Sequence, residues 1–419
     1  MKDKPAILGG EPTVTCSEEE FEKANAWPIL GNDELDAINQ LFHDGNISTH
    51  PIIGELEQGY CELAERKYGV AHCNGTTALM AAFWSLNLEP GDRVFVPSAT
   101  FWASVLPMMW MGLVPVFCET EPDQLGLDIE DMRAKWTPDV KAMVIVPLWG
   151  MPSNYSTLMD FAAEKNLRII EDASHAHGAR YRGRPCGSFG DVSVFSLQGD
   201  KLAPAGEGGV LLTDDDEIHE RVLCLGDITR IYQLDSPARR FAATSFGIKT
   251  RIAPVSAAIG LCQLNKLQKA NAVRKENMVA VSSALEIYGF ETYMDTEHTE
   301  RTYFEFLVRC DESSLDAGGW MQALRAEGCS VDLPRYPLLH QQPFFSEETY
   351  KKVLRLPDDQ VPDYSEVTLP KTQSLNEQML KLPSFPNAAP DVLASYINAI
   401  HEVGENSDSI AAALGKAST

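Results

Sequence analysis

Five short apolar runs, each too brief for an ordinary globular helix, lie between residues 93 and 195 and constrain the fold more than any other feature. They are RVFVP at 93–97, VPVFC at 114–118, AMVIVP at 142–147, RII at 168–170 and VSVF at 192–195. Helical stretches at 78–88 and 155–165 lie among them. Apolar strands that alternate with helices imply a mostly parallel sheet with helices on both faces. Upstream, Leu35, Ile38, Leu41, Phe42, Leu56, Tyr60 and Leu63 recur at helical spacing. The alternation fades near Leu264, and a long charged helix is expected from about 265 to 288. Beyond it, a strand at 303–308, a helix at 314–327, a strand at 329–333 and a closing helix at 390–403 form a smaller α+β unit. The expected division is an N-terminal arm over 1–32, a large α/β domain over 33–264 and a small C-terminal domain over 265–419. The Pro-bearing acidic stretch 356–370 is expected as a surface loop, and 404–419 as a frayed end.

Charge narrows the partners. Sixty acidic against thirty-five basic residues give a net charge of −25, the wrong sign for nucleic acid or anionic lipid. No apolar run reaches the ~18 residues of a membrane span, and MKDKPAILGGEPTVT has no long apolar core of a signal peptide. Nine scattered cysteines without a Cys-x-x-Cys pair read as free thiols. A cytoplasmic protein with small-molecule partners is expected.

Chemistry concentrates in IIEDASHAHGARYRGRPCGSFGDVSVFSLQGDKLAPAGEGGV, residues 169–210. Asp172 closes an apolar run, and ligands of open α/β sheets sit beyond the carboxyl ends of strands. Glu171 faces the other side by strand alternation. His175 follows within reach of the same edge, and His177 reads as structural. Ser196 ends the next strand, and Lys201 lies five residues on, before a Gly-Glu-Gly-Gly turn where a surface charge is not expected. Upstream, Asn74-Gly75-Thr76-Thr77 opens a helix whose bare N–H groups suit an anion. Phe101, just past the end of the 93–97 run, can stack on a flat ring. An acid, short donors, an aromatic and one lysine are what holds and runs pyridoxal 5'-phosphate. Asp172 would pair with the pyridine nitrogen and His175 would donate to the phenolic oxygen. Thr76, Thr77 and Ser196 would take the phosphate. Lys201 would carry the cofactor as an aldimine and shuttle the substrate proton.

With these residues in place, the chain resembles the DegT/DnrJ/EryC1/StrS aminotransferases of PLP fold type I. The resemblance rests on NGTTAL, PSATF, EDASHAHGA, FSLQGDK and GEGG, and extends to Gly247…Arg251, RYPLLHQQPFF and LKLPSFPN. It implies a seven-stranded, mostly parallel sheet, a smaller C-terminal domain, and a homodimer in which a partner loop closes on the phosphate. Most members carry Gln at the position of His175 and Asn at that of Lys249; Lys249 would meet the phosphate as a charge. The combination is similar to a subgroup that includes scyllo-inosose aminotransferases. The reaction implied moves an amino group from glutamate or glutamine to a keto-sugar or keto-cyclitol. Arg251, Arg335, Tyr336 and His340 are candidates for substrate contact. Relatives with histidine in place of the lysine are sugar dehydratases, and Lys201 argues for amino transfer.

Two other classes compete. Glu171, Asp172, His175 and His177 lie close enough in sequence for a metal-dependent hydrolase, but no His-Glu-x-x-His is present and alternation parts the two acids, so no metal is expected. A serine hydrolase lacks its Gly-x-Ser-x-Gly elbow. A non-catalytic PLP-fold protein is countered by Lys201 and Asp172 together.

Overall fold

The computed structural model describes residues 4–311, 314–387 and 390–415. Its centre is a seven-stranded sheet of β1 (Tyr68–His72), β2 (Arg93–Pro97), β3 (Val114–Cys118), β4 (Val140–Ile145), β5 (Arg168–Asp172), β6 (Val192–Ser196) and β7 (Gly209–Thr213). The order across the sheet is β1-β7-β6-β5-β4-β2-β3. Strands β6, β5, β4, β2 and β3 pair in parallel. Only β7 runs against its neighbours. The five expected strands are all present, and both of the others lie on the β1 side of β6. Residues of β5 and β6 are almost wholly buried, as strands covered on both faces must be.

Helix α1 (Gly75–Ser85) shows how local sequence sets the site. Asn74 caps it, its side chain accepting from the Thr77 N–H at 2.8 Å. Ala78, Ala81 and Ala82 let the helix lie close on the sheet. At its first turn, a Cβ on Gly75 would stand 2.7 Å from the Ser196 Cβ. Only glycine lets α1 start so near the end of β6.

The long helix α2 spans Pro254–Glu286, starting well before the expected 265 because Pro254 at its first turn is a helix start rather than a breaker. It carries the chain from the large sheet to a second one of β8 (Phe290–Glu291), β9 (Phe306–Cys310) and β10 (Met379–Leu382), all antiparallel. Helices α3 (Ala317–Ala326) and α4 (Pro390–Glu405) pack on that sheet around Trp320, Phe306, Phe385 and Tyr396. The N-terminal arm joins this core through Val14 and Ala24.

Two expectations change. The strand at 329–333 reduces to one bridge, Asp332 to Lys381. The end of the chain is not wholly frayed: a helix covers Ser407–Ala413 and buries Ile410 and Ala411, while 416–419 lie outside the described residues. The 356–370 stretch is the expected surface loop, mostly exposed, and it is anchored: Tyr364 and Leu369 are buried and the Tyr364 hydroxyl donates to the Pro115 carbonyl at 2.7 Å. It thereby covers the open edge of β3. Among the described residues, no helix is long and apolar enough to cross a membrane.

Candidate active site

The carboxyl ends of β2, β5 and β6 and the start of α1 open on one cavity of about 900 Å³. Asp172, His175, Ser196, Lys201, Thr76, Phe101, Arg335 and Tyr336 all line it, although they come from five separate segments of the chain.

Asp172 is 5% exposed. One of its oxygens accepts from the Ser104 hydroxyl at 2.6 Å, the other from the Ser174 N–H at 3.2 Å. These bonds fix the plane of the carboxylate while leaving it open to the cavity. Glu171, its neighbour, faces the far side of the sheet and accepts from the Tyr155 hydroxyl at 2.6 Å and from the Gly187 and Phe189 amides at 2.7 and 2.9 Å.

Lys201 is 8% exposed, with Nζ 4.5 Å from the centre of the Phe304 ring. Burial pushes its ammonium down to about 8, against the pull of Asp172 and with help from Arg335. A lysine so placed gives up its proton more readily than an exposed one, which makes it a better nucleophile near neutral pH.

His175 lies between the rings of Trp149 and Phe304, at 5.6 and 4.3 Å, both nearly parallel to it. Burial, and then the charges of Lys201 and Arg335, hold it well below the usual imidazole range, so it is neutral. Its Nδ1 accepts from the Trp149 N–H at 3.3 Å. The proton therefore sits on Nε2, which donates to the Tyr336 hydroxyl oxygen at 3.2 Å. The expected donor to a ring oxygen is thus committed to Tyr336, and the tyrosine O–H becomes the free donor at the cavity wall. Trp149 takes φ 58° to make this contact, an uncommon backbone state for a side chain so large. His177 faces away from the cavity, against Tyr60 and Phe195, and burial pushes it down to about 3.

At the anion end, α1 presents the amides of Gly75 and Thr76, which have no preceding turn to bond to. Thr76 and Ser196 line the cavity beside them. Thr77 does not. Its hydroxyl donates back to the Asn74 carbonyl at 2.9 Å.

Arg335 reaches the cavity with Nε 2.6 Å from Glu305 Oε1 and Nη1 donating to Asp200 at 3.3 Å. The Glu305 contact is an ion pair without hydrogen-bond geometry, and among the described residues neither Glu305 oxygen has a donor. His340, expected at the mouth, is instead buried against Ser98, whose hydroxyl lies 2.7 Å from Nδ1. It fastens the 335–345 segment to the end of β2. Arg251 donates to Ser48 at 3.2 Å, away from the cavity. Lys249 is exposed beside it. Neither lines the cavity of its own chain. Ser104, Trp149, Phe304 and Glu305 carry no local signature, and only the fold brings them here. Among the described residues, no group of three or more His, Cys, Asp or Glu side chains is placed to hold a metal ion.

A flat ring that carries an aldehyde and a phosphate fits this seat from end to end. The α1 amides, Thr76 and Ser196 would hold its phosphate. Asp172, Phe101 and Lys201 line the same cavity and would meet the ring nitrogen, the ring face and the carbonyl of such a group. That defines a pyridoxal 5'-phosphate enzyme. Residues 28–401 match the DegT/DnrJ/EryC1/StrS aminotransferase family. Solved structures agree. An aminotransferase from Psychrobacter cryohalolentis is 25% identical over 91% of this chain and 98% of its own, with TM-score 0.80. DesI, solved in the presence of its TDP-sugar product, is 26% identical over 98% and 99%, with TM-score 0.78. S. venezuelae DesV, solved with a ketimine intermediate, is 28% identical over 89% and 95%, with TM-score 0.75. The chain belongs to the DegT/DnrJ/EryC1/StrS aminotransferase family. It is a pyridoxal phosphate-dependent aminotransferase.

Proposed function

We propose that the protein moves an amino group from glutamate or glutamine to a keto-sugar or keto-cyclitol, with Lys201 as the amine that condenses with the cofactor. The observation that carries this reading is the burial of Lys201 across the cavity from Asp172, with its amine brought down to about 8. The sugar side is supported by DesI, which was solved with a TDP-sugar product. When bound, the cofactor supplies an aldehyde and a ring that stabilises negative charge on the adjacent carbon. Asp172 would hold the ring nitrogen through its carboxylate. Lys201 Nζ takes a proton from the Cα of the donor and returns it on the far side of the exchange. The Tyr336 hydroxyl, kept protonated by burial, offers a donor to an acceptor oxygen. Arg335 offers a cation to a donor carboxylate.

Exposed Trp84, Phe246 and Ile248 are apolar side chains, and Ile248 directly precedes Lys249. Trp84 and Phe246 rings pack at 5.6 Å. We propose a homodimer in which a second copy covers these side chains and Lys249 serves the neighbouring phosphate.

The test is spectral and chemical. Protein loaded with cofactor should show the visible band of a lysine-bound aldehyde, and glutamate or glutamine should shift that band to shorter wavelength. Lys201→Ala should lose the band and at least ~10³-fold in turnover while keeping the fold. A Lys201→Ala protein that transfers amino groups at the wild-type rate would remove Lys201 from its role. A wild-type protein with the band but no response to any donor would favour a non-catalytic member of the family.

A further inference from the structure

The main chain of Lys201 is held from outside its own loop. Within the loop, the Lys201 N–H donates to the Gln198 carbonyl at 2.8 Å and the Ala205 N–H to the Leu197 carbonyl at 2.8 Å. The Lys201 carbonyl accepts from the indole N–H of Trp27, 174 residues earlier, at 2.8 Å. Trp27 belongs to the N-terminal arm, which is tied on both sides. The Asn387 amide donates to the Ala24 carbonyl at 3.1 Å, and its side chain donates to Ala26. On the other side, Gln263 of α2 donates to the Ile29 carbonyl at 3.0 Å. The arm thus runs as a strap from the small domain to α2, with one side chain touching the lysine.

The indole face is covered too. Arg274 of α2 lies with its guanidinium carbon 3.9 Å from the ring centre and is 3% exposed. No carboxylate pairs with it among the described residues, its Nη1 has no partner, and burial pushes the guanidinium down to about 10. A buried cation without a counter-ion is costly, and a ring face offsets only part of that cost. Such an arrangement makes a poor source of stability. It does make a rigid seat for one indole, which is then aimed at one carbonyl.

We propose that Trp27, seated on Arg274, is a positioning residue that holds Lys201 in its buried place over Phe304 and couples that place to the small domain. The inference rests on Lys201 being the reactive amine. Without the indole bond, the loop relaxes toward the open cavity, the amine gains water, and it becomes both less nucleophilic and less well aimed. Asp172, Arg335, Glu305 and Asp200 face the same ammonium and are left unchanged by the substitutions that follow.

Two variants separate this role from a merely structural one. Trp27→Phe keeps one aromatic ring for Arg274 and removes the N–H along with the rest of the indole. Arg274→Met removes the buried charge and loosens the seat. The full-length protein is freed of cofactor and treated with pyridoxal and borohydride across a pH series, and the label at Lys201 is read by peptide mass. Both variants should move the midpoint of labelling upward by about half a unit or more, toward an ordinary lysine. With cofactor, both should lower kcat about fivefold to tenfold with KM little changed, the size of one lost hydrogen bond. Arg274→Met should unfold at the wild-type temperature or above it. Midpoints and kcat equal to wild type in both variants would overturn the proposal. So would a loss of thermal stability that accounts for the whole kcat change in both. A wild-type protein that takes no label at Lys201 would instead bring down the reactive-lysine reading itself, and Trp27's role with it.

Discussion

Asp172 and Glu171 are joined by one peptide bond, and the two sides of β5 they occupy are built on opposite plans. On the Asp172 side, two donors orient the carboxylate and the remaining space is left to the cavity. On the Glu171 side, three donors fill the carboxylate, and the Tyr155 ring stacks on Phe189 at 3.8 Å. Burial pushes Glu171 up to about 7. One acid has two donors and keeps bonding capacity toward the cavity. The other is finished by the protein and fixes the 187–189 turn behind the strand end. Burial alone therefore does not mark a site; unfilled bonding capacity facing a cavity does.

The sharpest break of that comparison is a crossed pair of amides. Asp172→Asn should lower turnover by ~10²–10³-fold, as the loss of one aligned charge does at a site shielded from water, with denaturant stability near wild type. Glu171→Gln should do the reverse. Its NH₂ must meet either the Phe189 amide or the Tyr155–Gly187 donors, and a donor facing a donor costs ~1–3 kcal/mol. Turnover per folded molecule should stay within a few-fold. If Glu171→Gln lost turnover as deeply as Asp172→Asn, the far face would be part of the chemistry after all.

A second and smaller effect appears in pH. The folded pKa of Glu171 is raised from 4.5 to about 7, so the folded state binds more protons than the unfolded one in that interval. Its contribution to stability is complete below about 4.5 and declines as pH rises to about 7. Lys201 has the opposite sign. Its folded pKa is lowered from 10.5 to about 8, so the unfolded state binds more protons and stability rises with pH between those values. Wild-type minus Glu171→Gln stability, measured without cofactor, should fall across the first window. Wild-type minus Lys201→Ala should climb across the second. A flat difference in either window would mean that the group is hydrated rather than buried.

What could be read in advance follows the same division. Asp172, Ser196 and Lys201 were legible because strand period and loop spacing place them on one edge within thirty residues of each other. The β-α alternation gave the large sheet for the same local reason. The opposite wall was not legible. Phe304 and Glu305 lie more than a hundred residues downstream, and nothing in TYFEF says that a ring will seat a lysine. Ser104 aims Asp172 from a turn with no motif. His340 was misplaced at the cavity mouth because sequence distance cannot tell a residue that faces a cavity from one that fastens the segment lining it. The start of α2 was set too late because its first turns pack on the large domain and so continue that domain's pattern.

Thr76 and Thr77 repeat the Asp172–Glu171 contrast at lower stakes. Both begin α1, and residue type does not separate them. Thr77 gives its hydroxyl to the Asn74 carbonyl at 2.9 Å, while Thr76 lines the cavity with no hydrogen bond inside the protein among the described residues. Thr76→Val should weaken cofactor binding by about tenfold, the worth of one hydrogen bond to a charged oxygen, and leave folding unchanged. Thr77→Val should cost about 1 kcal/mol of stability and leave cofactor affinity alone. Fluorescence titration with pyridoxal phosphate and a denaturant melt on each variant separate the two. Equal losses of affinity would show that α1 does not present its first turn as a fixed edge. The Asn74 cap would then be part of phosphate binding and not only a support for it.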